Sequence, residues 1–184
     1  MKSLLPEDPR KRGRLQLALL ALFFVLPVAA SFAIWWLDLA PGTSGNYGTL
    51  LKPRPVAAPP LAALKGRWVL VQFDGGACAE ACERKLYLMR QVRRAQGREM
   101  QRIERLWLLT DGVEPRAELR AAIEGTVIAP AGPAPGQFPA ERSPQDHVYL
   151  VDPLGNLMMR FPREPDPMRV IKDLKQLLRA SQFG

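Results

Sequence analysis

Sulfur and imidazole are scarce in this chain: 184 residues include two cysteines, Cys78 and Cys82, and one histidine, His147. Metal or redox chemistry that needs either group must draw on those three side chains. No internal repeat is present. The formal net charge of +8 invites a nucleic-acid reading, but the basic residues are dispersed and no zinc-finger or RNA-binding signature accompanies them. Nucleic acid is therefore excluded as a partner. With 47% hydrophobic and 24% charged residues, the composition is that of a chain that folds around a core, and its length predicts one domain plus accessory segments.

Charge is also absent from Leu15 to Leu37, LQLALLALFFVLPVAASFAIWWL, a run of 23 residues in which only Gln16 and Ser31 are polar. A helix of that length crosses a hydrocarbon core of ~30 Å. Arg10, Lys11, Arg12 and Arg14 precede it and Asp38 follows it. By the positive-inside rule the N-terminus stays cytoplasmic and the remainder is carried across, with Trp35 and Trp36 at the interface. A membrane span tolerates Pro27. Cleavage near Val28-Ala29-Ala30 is the rival, but the apolar run continues well beyond it, which favours an uncleaved anchor. The expected organisation is a cytoplasmic N-terminus at 1–14, a transmembrane signal anchor at 15–39, a proline-rich tether at 40–66 and a periplasmic domain at 67–184. In a bacterial cell this places the chain in the inner membrane, with its thiols in an oxidising compartment.

The exported part alternates elements. RWVLVQF (67–73) reads as a buried strand. A helix follows the cysteines to about Arg98, with Leu86, Met89, Val92 and Ala95 as its apolar stripe. ERLWLLTD (104–111) is a second strand, 115–124 a short helix, TVIAP (126–130) a third strand, and 130–146 a long loop. HVYLVD and NLMMRF form a hairpin around Pro153-Leu154-Gly155. Asp166 and Pro167 start a final helix whose buried stripe is Met168, Ile171, Leu174 and Leu178. Alternating strands and helices imply a largely parallel sheet, to which the hairpin adds an antiparallel edge. The order predicts an α/β, thioredoxin-like fold behind an N-terminal transmembrane helix.

Cys78 falls between a strand and a helix start, where backbone N–H groups and the helix dipole lower a thiol pKa. Arg84 and Lys85 add positive charge nearby. Three residues separate the cysteines, one more than in the C-x-x-C dithiol motif. On a helix that spacing sets both sulfurs on one face, which allows a disulfide or a pair of thiolates on one soft ion. His147 opens a strand at the sheet end where sites of open α/β sheets gather. Two thiolates and an imidazole suit copper, whereas zinc normally takes a fourth ligand. Met158 and Met159 carry little weight as thioether donors, because strand alternation sends one inward as core. Three readings stay open: a copper-binding protein, a thiol–disulfide oxidoreductase working through Cys78 and Cys82, and a non-catalytic scaffold with a structural disulfide. Arg84, Lys85, Arg90, Arg93, Arg94, Arg98, Arg102 and Arg105 are expected to form a solvated face, with anionic lipid or an acidic protein surface as the alternative.

The segments LKGRWVLVQF…CAEAC, LWLLTDGVEP…ELRAAI and DHVYLVDPLGNLMMRF resemble the Sco/SenC family of membrane-anchored copper chaperones, from about Leu61 to the C-terminus. The resemblance implies a thioredoxin-like domain that helps assemble the copper site of cytochrome c oxidase. It also implies one copper ion per domain, held by Cys78, Cys82 and His147, and the oxidase subunit carrying that site as partner. Ala79 and Glu83 stand where the family usually has prolines after its cysteines.

Overall fold

The structure is a computed structural model in which residues 9–37 and 45–181 are described. The expectations for 1–8, including most of the cytoplasmic segment, and for 38–44 of the anchor end and tether lie outside those residues. The chain divides into two compact units, Met1–Thr43 and Ser44–Gly184.

In the first unit, α1 (Pro9–Trp36) is a single helix with Pro27 inside it. Its segment Gly13–Ile34 is long and apolar enough to cross a membrane. Leucine, valine and phenylalanine are exposed all around it, and a helix apolar on every side suits lipid rather than one face of a core.

The second unit is a mixed sheet. Its strands are β1 (Thr49–Pro55), β2 (Trp68–Asp74), β3 (Ile103–Leu109), β4 (Val127–Pro130), β5 (Val148–Val151) and β6 (Asn156–Arg160). They lie in the order β1-β6-β5-β2-β3-β4, with β2–β3 and β3–β4 parallel and the other pairs antiparallel. The helices are α2 (Pro59–Ala62), α3 (Glu80–Arg94), α4 (Ala117–Ala122) and α5 (Pro167–Ala180). The α/β class and the thioredoxin-like element order are as expected.

Four expectations need correction. Residues 49–62, read as tether, belong to the domain: β1 pairs with β6, and Ala58 and Leu61 are buried in the core. Proline density misled here, because Pro53 and Pro55 lack the N–H of a central strand but suit an edge strand. With β1 at that edge, the β5–β6 hairpin is interior, so the sheet is less parallel than expected. In α5 the buried stripe is Val170, Asp173, Leu174 and Leu178, while Met168 is 72% exposed. The helix is rotated because Asp173 is drawn inward to accept N–H bonds from Tyr47 (3.1 Å) and Gly48 (2.8 Å) at the start of the domain. In α3, Leu86, Met89 and Val92 are buried as predicted and Ala95 is exposed.

Strand alternation makes two cores. Leu70, Ile103, Val148 and Leu150 face α3 and α5, packing on Met89, Val92, Val170 and Leu174. Val71, Phe73, Leu106, Leu108, Tyr149 and Val151 face the opposite side, where Ala58, Leu61, Ala131, Ala134 and Phe138 cover them. The loop after β4 is therefore long but packed, turning through short 3-10 segments at Ala134–Gln137 and Pro144–Asp146.

Candidate functional site

From Asp74 at the end of β2 the chain turns through Gly75 and Gly76 into the cysteines. The loop after β3 approaches so closely that a Cβ on Gly75 would overlap the Asp111 carboxylate, and one on Gly76 the Val113 carbonyl. Asp111 fastens the two loops by accepting N–H bonds from Gly76 (2.9 Å) and Val113 (3.1 Å). Cys78 sits just ahead of α3 with φ at 42°, in the left-handed region. Cys82 lies in the first turn of α3.

The two cysteines form a disulfide, with Cα atoms 5.2 Å apart. Both are buried, Cys78 3% and Cys82 1% exposed, in an apolar cluster with Leu86, Trp107, Leu119 and Ile123. Trp107 comes from β3, and its register partner Gln72 donates Nε2–H to the Cys82 carbonyl (3.2 Å). This is the face of the sheet on which α3 lies.

His147 is 6% exposed. Its backbone is extended and continues the alternation of β5, so its parity is that of Tyr149. The ring contacts the Tyr149 ring edge to face at 6.0 Å. Nδ1 lies 2.8 Å from the Phe161 carbonyl. A carbonyl can only accept, so Nδ1 carries the proton and Nε2 is left as the basic nitrogen. A pocket of about 240 Å³, lined by Glu141, Arg142, Asp146, His147 and Arg163, lies beside it.

The three candidate ligands thus reach the same end of the sheet, but strand parity gives the imidazole to one face and the disulfide to the other. Among the described residues no group of three or more His, Cys, Asp or Glu side chains is gathered to hold a metal. As a donor set, two thiolates and an imidazole suit a soft cation. In the disulfide form the sulfurs are not thiolates, so metal binding requires reduction of the pair and a new position for the His147 ring.

Lys85 joins the two corners. It is 8% exposed, its Nζ donates to the Gln145 carbonyl just ahead of His147, and it lies 3.9 Å from Asp74 Oδ2. Gln145 in turn donates to Thr110 Oγ1 (3.0 Å) and Asp146 pairs with Arg163 (3.4 Å). Burial pushes the Lys85 pKa down and the Asp74 pKa up, each partly offset by attraction to the other. Sequence reasoning put Lys85 on a solvated face. The available signal was its place one turn after Cys82, on the face that α3 turns toward the sheet.

The basic run is likewise not one solvated face. Arg105 is 3% exposed and donates to the Glu124 carbonyl (2.6 Å). Burial, followed by the positive charge of Arg93 and Arg90, lowers its pKa to about 10. Arg90 donates to the Ala122 carbonyl (2.9 Å) and Arg93 to the Ile103 carbonyl (2.6 Å), whereas Arg94 and Arg98 are exposed.

The fold is similar to apo Sco1 from Thermus thermophilus, at 16% identity over 76% of this chain and 99% of that one, with a TM-score of 0.51. It is also similar to yeast Sco1 with copper bound (14% identity, 66% and 84% of the two chains, TM-score 0.56). A third match is Arabidopsis thaliana ScoI with copper bound (12% identity, 66% and 89%, TM-score 0.52). The resemblance to Sco proteins read from the sequence therefore holds at the level of fold. No curated protein sequence matches the chain. Residues 68–181 match the family described as transmembrane-like, thioredoxin-like, C-terminal domain, and on that match the chain belongs to this family of thioredoxin-like domains.

Proposed function

We propose that the protein is a membrane-anchored assembly factor that works through the Cys78–Cys82 pair, binding one copper(I) ion in the reduced state with His147 as third ligand. The observation that carries the reading is the pair itself, closed as a disulfide between the end of β2 and the start of α3. His147 enters this reading as a ligand recruited after reduction, because its ring now bonds the Phe161 carbonyl on the other face of the sheet. Copper is cargo in this scheme. Two electrons and two protons convert the disulfide to thiols, and binding of copper(I) then releases thiol protons to the solvent.

The client that fits is the copper site of a cytochrome c oxidase subunit, with the domain on the periplasmic side of a bacterial inner membrane. The test uses the full chain in detergent, reduced without oxygen and titrated with copper(I) against a chelating competitor. One tight equivalent is expected, lost in Cys78→Ala and Cys82→Ala. If the wild type retains no more copper than the double cysteine variant, the copper reading fails.

The separation of His147 from the sulfurs favours a second reading, a thiol–disulfide oxidoreductase that keeps client cysteines reduced. It expects client reduction at an unchanged rate in His147→Ala, together with negligible copper affinity.

A further inference from the structure

A disulfide exchanges electrons only when a thiolate can approach one sulfur along the S–S axis, and here both cysteines are buried. Part of the packing around them comes from one short segment. After β3 the chain runs through Asp111–Glu114 into α4, which lays Leu119 and Ile123 on the cluster that contains both sulfurs. Six residues make too short a helix to hold itself, so α4 owes its form to that packing.

The two ends of the segment are firmly tied. At one end Asp111 accepts the N–H groups of Gly76 and Val113. At the other, Arg90 and Arg105 hold the Ala122 and Glu124 carbonyls. Apart from Leu119 and the buried Pro115, the beginning of α4 is held by an ion pair between Arg116 and Glu83, the residue after Cys82. Those side chains are 52% and 40% exposed, so the pair is weak and screened by salt.

We infer that residues 111–124 form a lid over the Cys78–Cys82 disulfide, latched by Glu83–Arg116 and seated by Leu119, and that its opening sets how fast a partner dithiol reaches the bond. The inference rests on the reading that this pair is the working one. With the lid open, a thiolate of the partner attacks one sulfur, forming a mixed disulfide and releasing the other cysteine as a thiolate. The partner's second thiol then attacks the mixed disulfide. The partner leaves as a disulfide, having given up two electrons and two protons, and Cys78 and Cys82 are both reduced.

Dithiothreitol is the probe, acting on the oxidised full chain in detergent, with new thiols trapped by alkylation and counted by mass. Leu119→Ala is expected to raise the reduction rate at least tenfold. Glu83→Arg and Arg116→Glu are each expected to raise it about three- to fivefold at low salt. The double charge exchange should return it to within about twofold of wild type. Attraction or repulsion of the attacking thiolate would move the two single variants in opposite directions, whereas loss of a latch moves both upward. Leu178→Ala, in the α5 core, controls for general loss of stability and should leave the rate near wild type. The lid is refuted if Leu119→Ala reacts at the wild-type rate, or if Leu178→Ala accelerates reduction equally. The latch is refuted if the single charge variants shift in opposite senses or the double exchange gives no recovery. Copper titration of the reduced chain is a separate readout: its failure would remove the copper reading and leave these rates unchanged.

Discussion

The cysteine corner and the histidine corner lie at one end of the same sheet, yet they are held by different forces. The disulfide sits in apolar packing with Leu86, Trp107, Leu119 and Ile123. The imidazole is held by direction: an N–H bond to Phe161 and an edge contact with Tyr149, in a wall that also carries charges. Apolar contact is not directional and yields gradually, while a single hydrogen bond is either made or broken. The histidine is thus the more easily moved of the two, and the cysteine corner is the fixed part to which it would have to come.

The largest effect that tests this contrast is truncation of Trp107, which is fully buried in the cluster that holds the disulfide. Trp107→Ala should cost about 3–5 kcal/mol of stability in denaturant unfolding. A loss below about 1 kcal/mol would mean that the corner is not supported by packing. Next comes the covalent link. It closes a ring of only a few residues, so chain entropy assigns it about 2 kcal/mol, and unfolding of the oxidised and reduced chain under the same conditions measures it. An equal stability in the two states would leave the bond free to act as a pure redox couple.

His147→Ala is expected to cost only about 1 kcal/mol, the usual net value of one hydrogen bond. Its effect on copper(I) affinity should be larger, at least tenfold, if the ring is recruited to the reduced cysteines. A variant that loses stability but keeps its copper affinity would fix His147 as a wall residue, and the two corners would then be functionally separate.

Most of the sheet was legible because its strands are short, apolar and β-branched, and strand boundaries fell within a few residues of RWVLVQF and ERLWLLTD. The disulfide spacing was legible too, since an i, i+4 pair on or near a helix brings the two Cα atoms within bonding range. What escaped was decided by tertiary contact. β1 carries prolines that read as linker until β6 lies beside it. The phase of α5 is set by Asp173, whose partners are more than 120 residues away in sequence. The face of His147 depends on the register of β5 against β2, and a shift of one residue would reverse it. Lys85 looked like one member of a basic run; its place one turn after Cys82 signalled burial, but nothing local names Asp74 and the Gln145 carbonyl as its surroundings.

Lys85, the link between the corners, supplies the smallest effect and one with a definite pH window. Burial lowers its pKa below 10.5 in the folded state, so the unfolded chain holds that proton more tightly. Between the lowered pKa and 10.5 the unfolded state binds more protons, and stability must rise with pH through that window. As pH falls through the folded pKa the contribution is lost. Asp74 shifts upward from 3.8, again chiefly by burial, so its contribution is present below 3.8 and lost as pH rises through its folded pKa. Tyr149, raised by burial from 10.0 to about 12, acts above about pH 10, while Arg105, lowered to about 10, overlaps the alkaline part of the lysine's window. Unfolding of the wild type and of Lys85→Met, compared as pH rises toward 10.5, reads the lysine as the difference between the two curves, because Arg105 contributes to both. The wild type should gain more stability than Lys85→Met as pH rises toward 10.5. Identical slopes would mean that the lysine is solvated in the folded protein and does not tie the cysteine helix to the histidine loop.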